Sequence, residues 1–143
     1  MRVSAKVDYA LRAMLELTQH EGLVKSERIA TAQSIPQKFL ENILLELRRA
    51  ELVTSVRGVE GGYALGRSAD EISVADVIRA VEGPIATVRG MRPDELEYAG
   101  AAAGLTEVWL ELRTSMRDVL EGTSLAEIAA ASAGAKAERD PAA

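Results

Sequence analysis

The side chains best placed to do chemistry in this chain lie on one amphipathic segment and in one glycine-rich turn. Between Gln37 and Arg49 the apolar residues Phe39, Leu40, Ile43, Leu44 and Leu47 share a helical face, which leaves Gln37, Lys38, Glu41, Leu45, Arg48 and Arg49 on the outside. A helix entered into a major groove would offer Gln37 and Lys38 to base edges, while Glu41 could accept from cytosine N4. Arg48 and Arg49 suit phosphates. The alternative for the same face is plain solvation, and Leu45 has no evident role on it unless the first helix or a second chain covers it. Arg57, followed by Gly58 where a β-ribbon reverses, suits a narrow minor groove, where the potential is most negative; its other reading is an exposed turn residue. Glu60 beside it is expected to point away from DNA.

Catalysis finds no comparable footing. The sequence has no Ser/His/Asp set, no phosphate-cradling glycine loop opening a helix, no cysteine and one histidine. Asp94, Glu95, Glu97 and Glu107 lack the alternation of a calcium loop, so they read as a solvated acidic stretch. The chain is therefore expected not to be an enzyme and to carry no metal.

The elements that must position these groups follow from periodicity. Val7, Leu11, Met14 and Leu15 predict a helix over 5–20, with His20 as a cation near its negative end. A short helix over 27–33 is capped by Ser26, and Pro36 opens the next one three residues later. Two helices joined by so short a turn make a helix-turn-helix. The β-prone runs 52–56 and 63–65 flank Arg57-Gly58-Val59-Glu60-Gly61-Gly62, which predicts a two-stranded hairpin, or wing. Val74, Val77, Ile78 and Val81 predict a helix over 74–82, with a capping box from Ser73 to Asp76 and a stop at Gly83-Pro84. Residues 84–104 have no period and read as a long loop.

Beyond that loop, Leu105, Val108, Trp109, Leu112, Met116, Val119 and Leu120 recur at spacings of three and four. The domain in front already has core elements, so this stripe is expected to pack against its copy in a second chain and form a homodimer. Met91 and Trp109 carry a second reading, as walls of a small-molecule pocket between the wing domain and the long helix. Ser124 and Glu127 cap one further turn over 125–128, and 134–143, rich in Ala, Ser and Gly, is expected to be disordered.

With 143 residues, 48% hydrophobic and 27% charged, the chain has the balance of one soluble domain with an appendage. The divisions expected are a DNA-binding domain over 1–83, the loop over 84–104, a dimerisation region over 105–133 and the tail. No stretch reaches the roughly 18 apolar residues of a membrane span, and no signal peptide opens the chain, so a cytoplasmic protein is expected. The net charge of −5 is unevenly spread: residues 1–67 hold 10 basic and 8 acidic groups, net +2, leaving 7 and 14, net −7, for the rest. Because screening confines each charge to about 8 Å, a basic patch can bind phosphates whatever the total.

The run SIPQKFLENILLELRRAELVTSVRGVEGGYAL, with the opening MRVSAKVDYALRAM and the later ISVADVIRAVEGP, resembles the Rrf-two family of winged-helix transcription regulators over roughly residues 1–130. The VRG…GGY wing is the most distinctive segment. The resemblance implies a mainly α fold with a small β wing, a winged helix-turn-helix followed by a long C-terminal dimerisation helix. It implies a homodimer on a palindromic operator in double-stranded DNA, with Gln37, Lys38 and Glu41 as base readers, Arg57 at the wing, and Arg2, Lys6 and Tyr9 on the DNA backbone.

Many members of that family hold an iron-sulfur cluster through three cysteines in the loop before the dimerisation helix. This chain has none; Gly104 and Glu107 stand where a cysteine and a histidine ligand would be, and carboxylates do not replace soft thiolates. A DNA-binding repressor without a cluster is thus the expected function, its signal arriving through a small-molecule or protein effector or through dimer stability. The competing expectation is a winged-helix module that binds a protein and has no operator.

Overall fold

The computed structural model describes residues 2–139. Helix α1 (Ala5–Leu17) starts at Ser4, whose hydroxyl accepts from the Val7 amide, and buries Val7, Ala10, Ala13, Met14 and Leu17 along one face. It stops at Leu17, short of the expected 20. Thr18 turns its hydroxyl back onto the Leu15 carbonyl, and the Gln19 and His20 amides close tighter i→i+3 turns onto Glu16 and Leu17. His20 is held by the Glu16 carboxylate at 3.0 Å.

Helix α2 (Ser26–Gln33) is short and buries only Ile29. Its cap position belongs to Lys25 without a side-chain bond, so Ser26 is inside the helix and leaves its hydroxyl for another partner. Ser34 then takes a left-handed conformation (φ 52°), and Pro36 sets the entry to helix α3 (Gln37–Arg49). Leu40, Ile43, Leu44 and Leu47 face the core as the period requires. Phe39 does not: it sits at the margin of the apolar face and is 60% exposed, its ring turned to Tyr9 of α1. Leu45 is 41% exposed on the outer face, uncovered by α1.

Strands β1 (Val53–Val56) and β2 (Gly62–Leu65) pair antiparallel, with Val53 opposite Leu65 and Val56 opposite Gly62. The wing is also stitched to the helix-turn-helix: Val24 and Tyr63 exchange two backbone hydrogen bonds of 2.8 Å. Gly62 makes this approach possible, since a Cβ there would stand 2.7 Å from the Val24 carbonyl oxygen. After a 3-10 turn (Ala69–Glu71), helix α4 (Val74–Glu82) has the expected capping box, with Ser73 and Asp76 bonding each other's backbone amides.

The segment from 84 to 104 contains two 3-10 turns, Pro93–Glu95 and Gly100–Ala102, and leads into helix α5 (Leu105–Glu121). Helix α6 (Leu125–Arg139) begins under the wing domain: Leu125 is fully buried, its amide donates to Ile72, and Val74 donates to Thr123. Here the sequence reading falls short. In place of a single turn and a disordered 134–143, the helix continues through Arg139, and residues 140–143 lie outside the described part. Alanine is the strongest helix former and a docked, Ser124-capped first turn supplies the nucleus, so the run extends through Gly134 without core packing. Among the described residues no helix is long and apolar enough to cross a membrane.

Candidate nucleic-acid interface

The outer face of α3 and the wing form one continuous surface. Lys38, Glu41, Arg48 and Arg49 are exposed, and the two arginines also oppose the negative C-terminal end of the helix. Gln37 is half-buried and anchored: its amide nitrogen donates to Ser26 Oγ at 2.8 Å and to Glu41 Oε1 at 3.2 Å. That pair orders the first turn of α3 and leaves the Gln37 carbonyl oxygen and the second Glu41 oxygen without a hydrogen bond among the described residues. Arg48 reaches Ser55 of β1 at 3.3 Å, linking the far end of the helix to the wing.

Arg57 lies exposed just after β1. The reversal that follows it is closed by Gly61 donating to the Gly58 carbonyl, and the same carbonyl accepts from Lys25 Nζ at 2.7 Å. The wing is therefore fixed to the start of α2 as well as to Val24. Val59 at its tip is almost wholly exposed, and Glu60 is exposed beside it.

The N-terminal candidates divide. Arg2 is exposed, but it borders an apolar groove facing α5. Lys6 is committed to Glu46 of α3 at 2.8 Å, which neutralises its charge toward phosphate. Tyr9 is half-buried between Phe39 and Arg12, with the Arg12 guanidinium 4.9 Å over its ring. Two residues of this surface went unread in the sequence. Asn42 is exposed on the outer face, and the spacing 38, 42, 45, 49 would have found it; its amide suits a bidentate contact to adenine. Lys25 was invisible because its role depends on a contact 33 positions away.

On the opposite side, the 84–104 segment is tied to α5 by Arg113 to Asp94 at 2.9 Å, Trp109 Nε1 to Tyr98 at 2.9 Å, and Thr106 to the Leu96 carbonyl at 3.4 Å. The hydrogen bond from Arg113 holds the Asp94 carboxyl below its ordinary range. None of the α5 side chains is fully buried: Leu105, Val108, Leu112 and Val119 are 40%, 52%, 37% and 65% exposed, and Trp109, Met116 and Leu120 are half-buried. Trp109, Met116 and Leu120 border a groove of about 930 Å³ whose far wall includes Val3 and Ile85.

Comparison with known proteins agrees with this geometry. The Rrf2 family profile, described as an iron-dependent transcriptional regulator, matches residues 3–131. The chain is 52% identical over 131 residues to Rv1287 of Mycobacterium tuberculosis H37Rv, named as an HTH-type transcriptional regulator, covering 90% of this chain and 81% of that one. It is 35% identical to the HTH-type transcriptional regulator CymR of Bacillus subtilis, covering 90% of each. The solved structure of B. subtilis CymR superposes with a TM-score of 0.77 at 35% identity over 91% of this chain and 97% of that one. The IscR of T. potens gives 0.73 at 35% identity over 90% and 85%.

The iron in the family description does not suit the donors present. The sequence lacks cysteine, Asp94 is engaged by Arg113, His20 lies on the far end of α1 against Glu16, and among the described residues no three His, Cys, Asp or Glu groups converge. A winged helix-turn-helix with a polar α3 face, matched over nine-tenths of its length by the Rrf2 profile and by HTH-type transcriptional regulators, makes this chain a member of the Rrf2 family of HTH-type transcriptional regulators.

Proposed function

We propose that the protein acts in the cytoplasm as a homodimeric repressor that reads a palindromic operator without an iron-sulfur cluster. The observation that carries this reading is α5: a 17-residue helix with a continuous apolar stripe and no fully buried side chain. A monomer gains little from such a helix, whereas a second copy buries both stripes at once and fills the groove between α5, Val3 and Ile85. Twofold symmetry then presents two α3 helices, which suit successive major grooves about 34 Å apart.

Within each half-site the roles follow from the polar groups. Gln37, Lys38, Glu41 and Asn42 face base edges, Arg48 and Arg49 face phosphates, and Arg57 enters the minor groove. Tyr9 lies at the margin of this surface beside Phe39, Arg2 is left to a DNA-backbone contact from beside the α5 groove, and Lys6 contributes through its pairing with Glu46. Occupying both grooves blocks the site to other proteins, and that exclusion supports repression as the mode. Sedimentation of the full chain with and without duplex tests the reading. It predicts dimers at micromolar concentration and two chains per bound duplex. A monomer bound alone would contradict it.

A further inference from the structure

Few residues of the helix-turn-helix hold its own turn. Helix α2 buries one side chain, Ile29, and carries no basic group in its last turn; α3 has no side-chain cap, and Ser34 between them is in the left-handed region. The holds across the turn are the Gln37 amide on Ser26 and the buried Ile35, whose amide donates to Ala30, and α1 adds another. One side chain of α1 holds the α2 side of that turn directly and meets the α3 side through Tyr9. Arg12 Nη1 donates to the Gln33 carbonyl, the last residue of α2, at 2.6 Å, placing a cation at the negative end of that helix. Its Nε lies 3.1 Å from Asp8, and its guanidinium covers the ring of Tyr9, whose other neighbour is Phe39 in the first turn of α3, at 6.4 Å between centroids. Glu16 adds a second hold, accepting from Gln33 Nε2 and from His20 at 3.0 Å each.

We propose that Arg12 is a positioning residue for DNA recognition: it braces the α2–α3 turn against α1 and thereby sets the angle at which α3 is presented. The proposal rests on the reading that α3 enters the major groove. Arg12 itself is matched by Asp8 and spent on the Gln33 carbonyl, so it is not a phosphate contact. A brace of this kind acts on specific binding, which requires register, and leaves counterion release unchanged.

The test compares the wild type with Arg12→Ala and Arg12→Lys by operator and non-operator titration over a salt series, and by hydrogen exchange at the Ile35 amide, which bonds Ala30 across the turn. Arg12→Ala should weaken operator binding about tenfold, leave non-operator affinity and the log–log salt slope unchanged, and speed Ile35 exchange about tenfold. Arg12→Lys, which keeps the donor to Gln33 but loses the planar stack, should fall between; it also serves if the alanine variant does not fold. A salt slope reduced by about 0.9 with equal loss on both DNAs would make Arg12 a phosphate contact and overturn the proposal. Unaltered Ile35 exchange in both variants would overturn it as well. Failure of the wild type to select any operator would refute the DNA reading, and the exchange measurement would still decide the brace.

Discussion

Val119→Asp isolates the dimer from the fold. Val119 is 65% exposed on α5, so the folded monomer has little to lose from a carboxylate there. In a twofold dimer the change is felt twice. Burying the exposed part of a valine contributes about 1 kcal/mol per protomer, hence about 2 kcal/mol for the pair. Two carboxylates brought into an apolar seam add a desolvation cost of at least about 1 kcal/mol each. The sum, about 4 kcal/mol or more, corresponds to a rise of roughly a thousandfold in the dimer dissociation constant. Equilibrium sedimentation across a dilution series measures this directly, and thermal unfolding of the dilute monomer should shift by no more than about 0.5 kcal/mol. If Val119→Asp dimerises with wild-type affinity, the stripe is not the seam; if it unfolds the monomer, the exposure argument for α5 is wrong.

Three further outcomes follow from the site. Gly62→Ala places a Cβ against the Val24 carbonyl and should cost roughly 1–3 kcal/mol, read as a lower urea midpoint, with wing amides exchanging faster than those of α4. Arg57→Ala should reduce the salt slope of DNA binding by about 0.9 while keeping the preferred major-groove bases, as footprint and titration together would show. The hydrogen bond from Gln33 and the neighbouring His20 hold the Glu16 carboxyl below its ordinary value, against the opposing effect of burial. Its contribution to stability is therefore full above the unfolded value near 4.5 and disappears as pH falls through the lowered folded value. Glu16→Gln should flatten that acid limb in urea titrations between about pH 6 and pH 3.

Much of the architecture could be read from spacing because each element obeys one dominant period. The α3 face, the Ser73–Asp76 capping box and the VRG…GGY reversal are local patterns, and local patterns survive into the fold. What escaped depended on contacts between segments distant in sequence. Phe39 fits the apolar period of α3, yet it falls at the margin of the buried face and stays exposed beside Tyr9; Ser26 fits a cap, yet Lys25 occupies that position and the hydroxyl serves Gln37. Lys6 resembles a free cation until Glu46 arrives from 40 residues away. The alanine-rich end of α6 looked structureless because it has little to bury, but intrinsic propensity and a docked start are enough to extend it.

In the proposed complex, two α3 faces related by a twofold axis read one DNA site. Selection of the full chain against random duplex DNA, followed by sequencing of the retained molecules, tests it most directly. The expected product is an inverted repeat whose half-site centres lie about one helical turn, or 34 Å, apart. Enrichment of a single asymmetric half-site, or no enrichment at low salt, would contradict it.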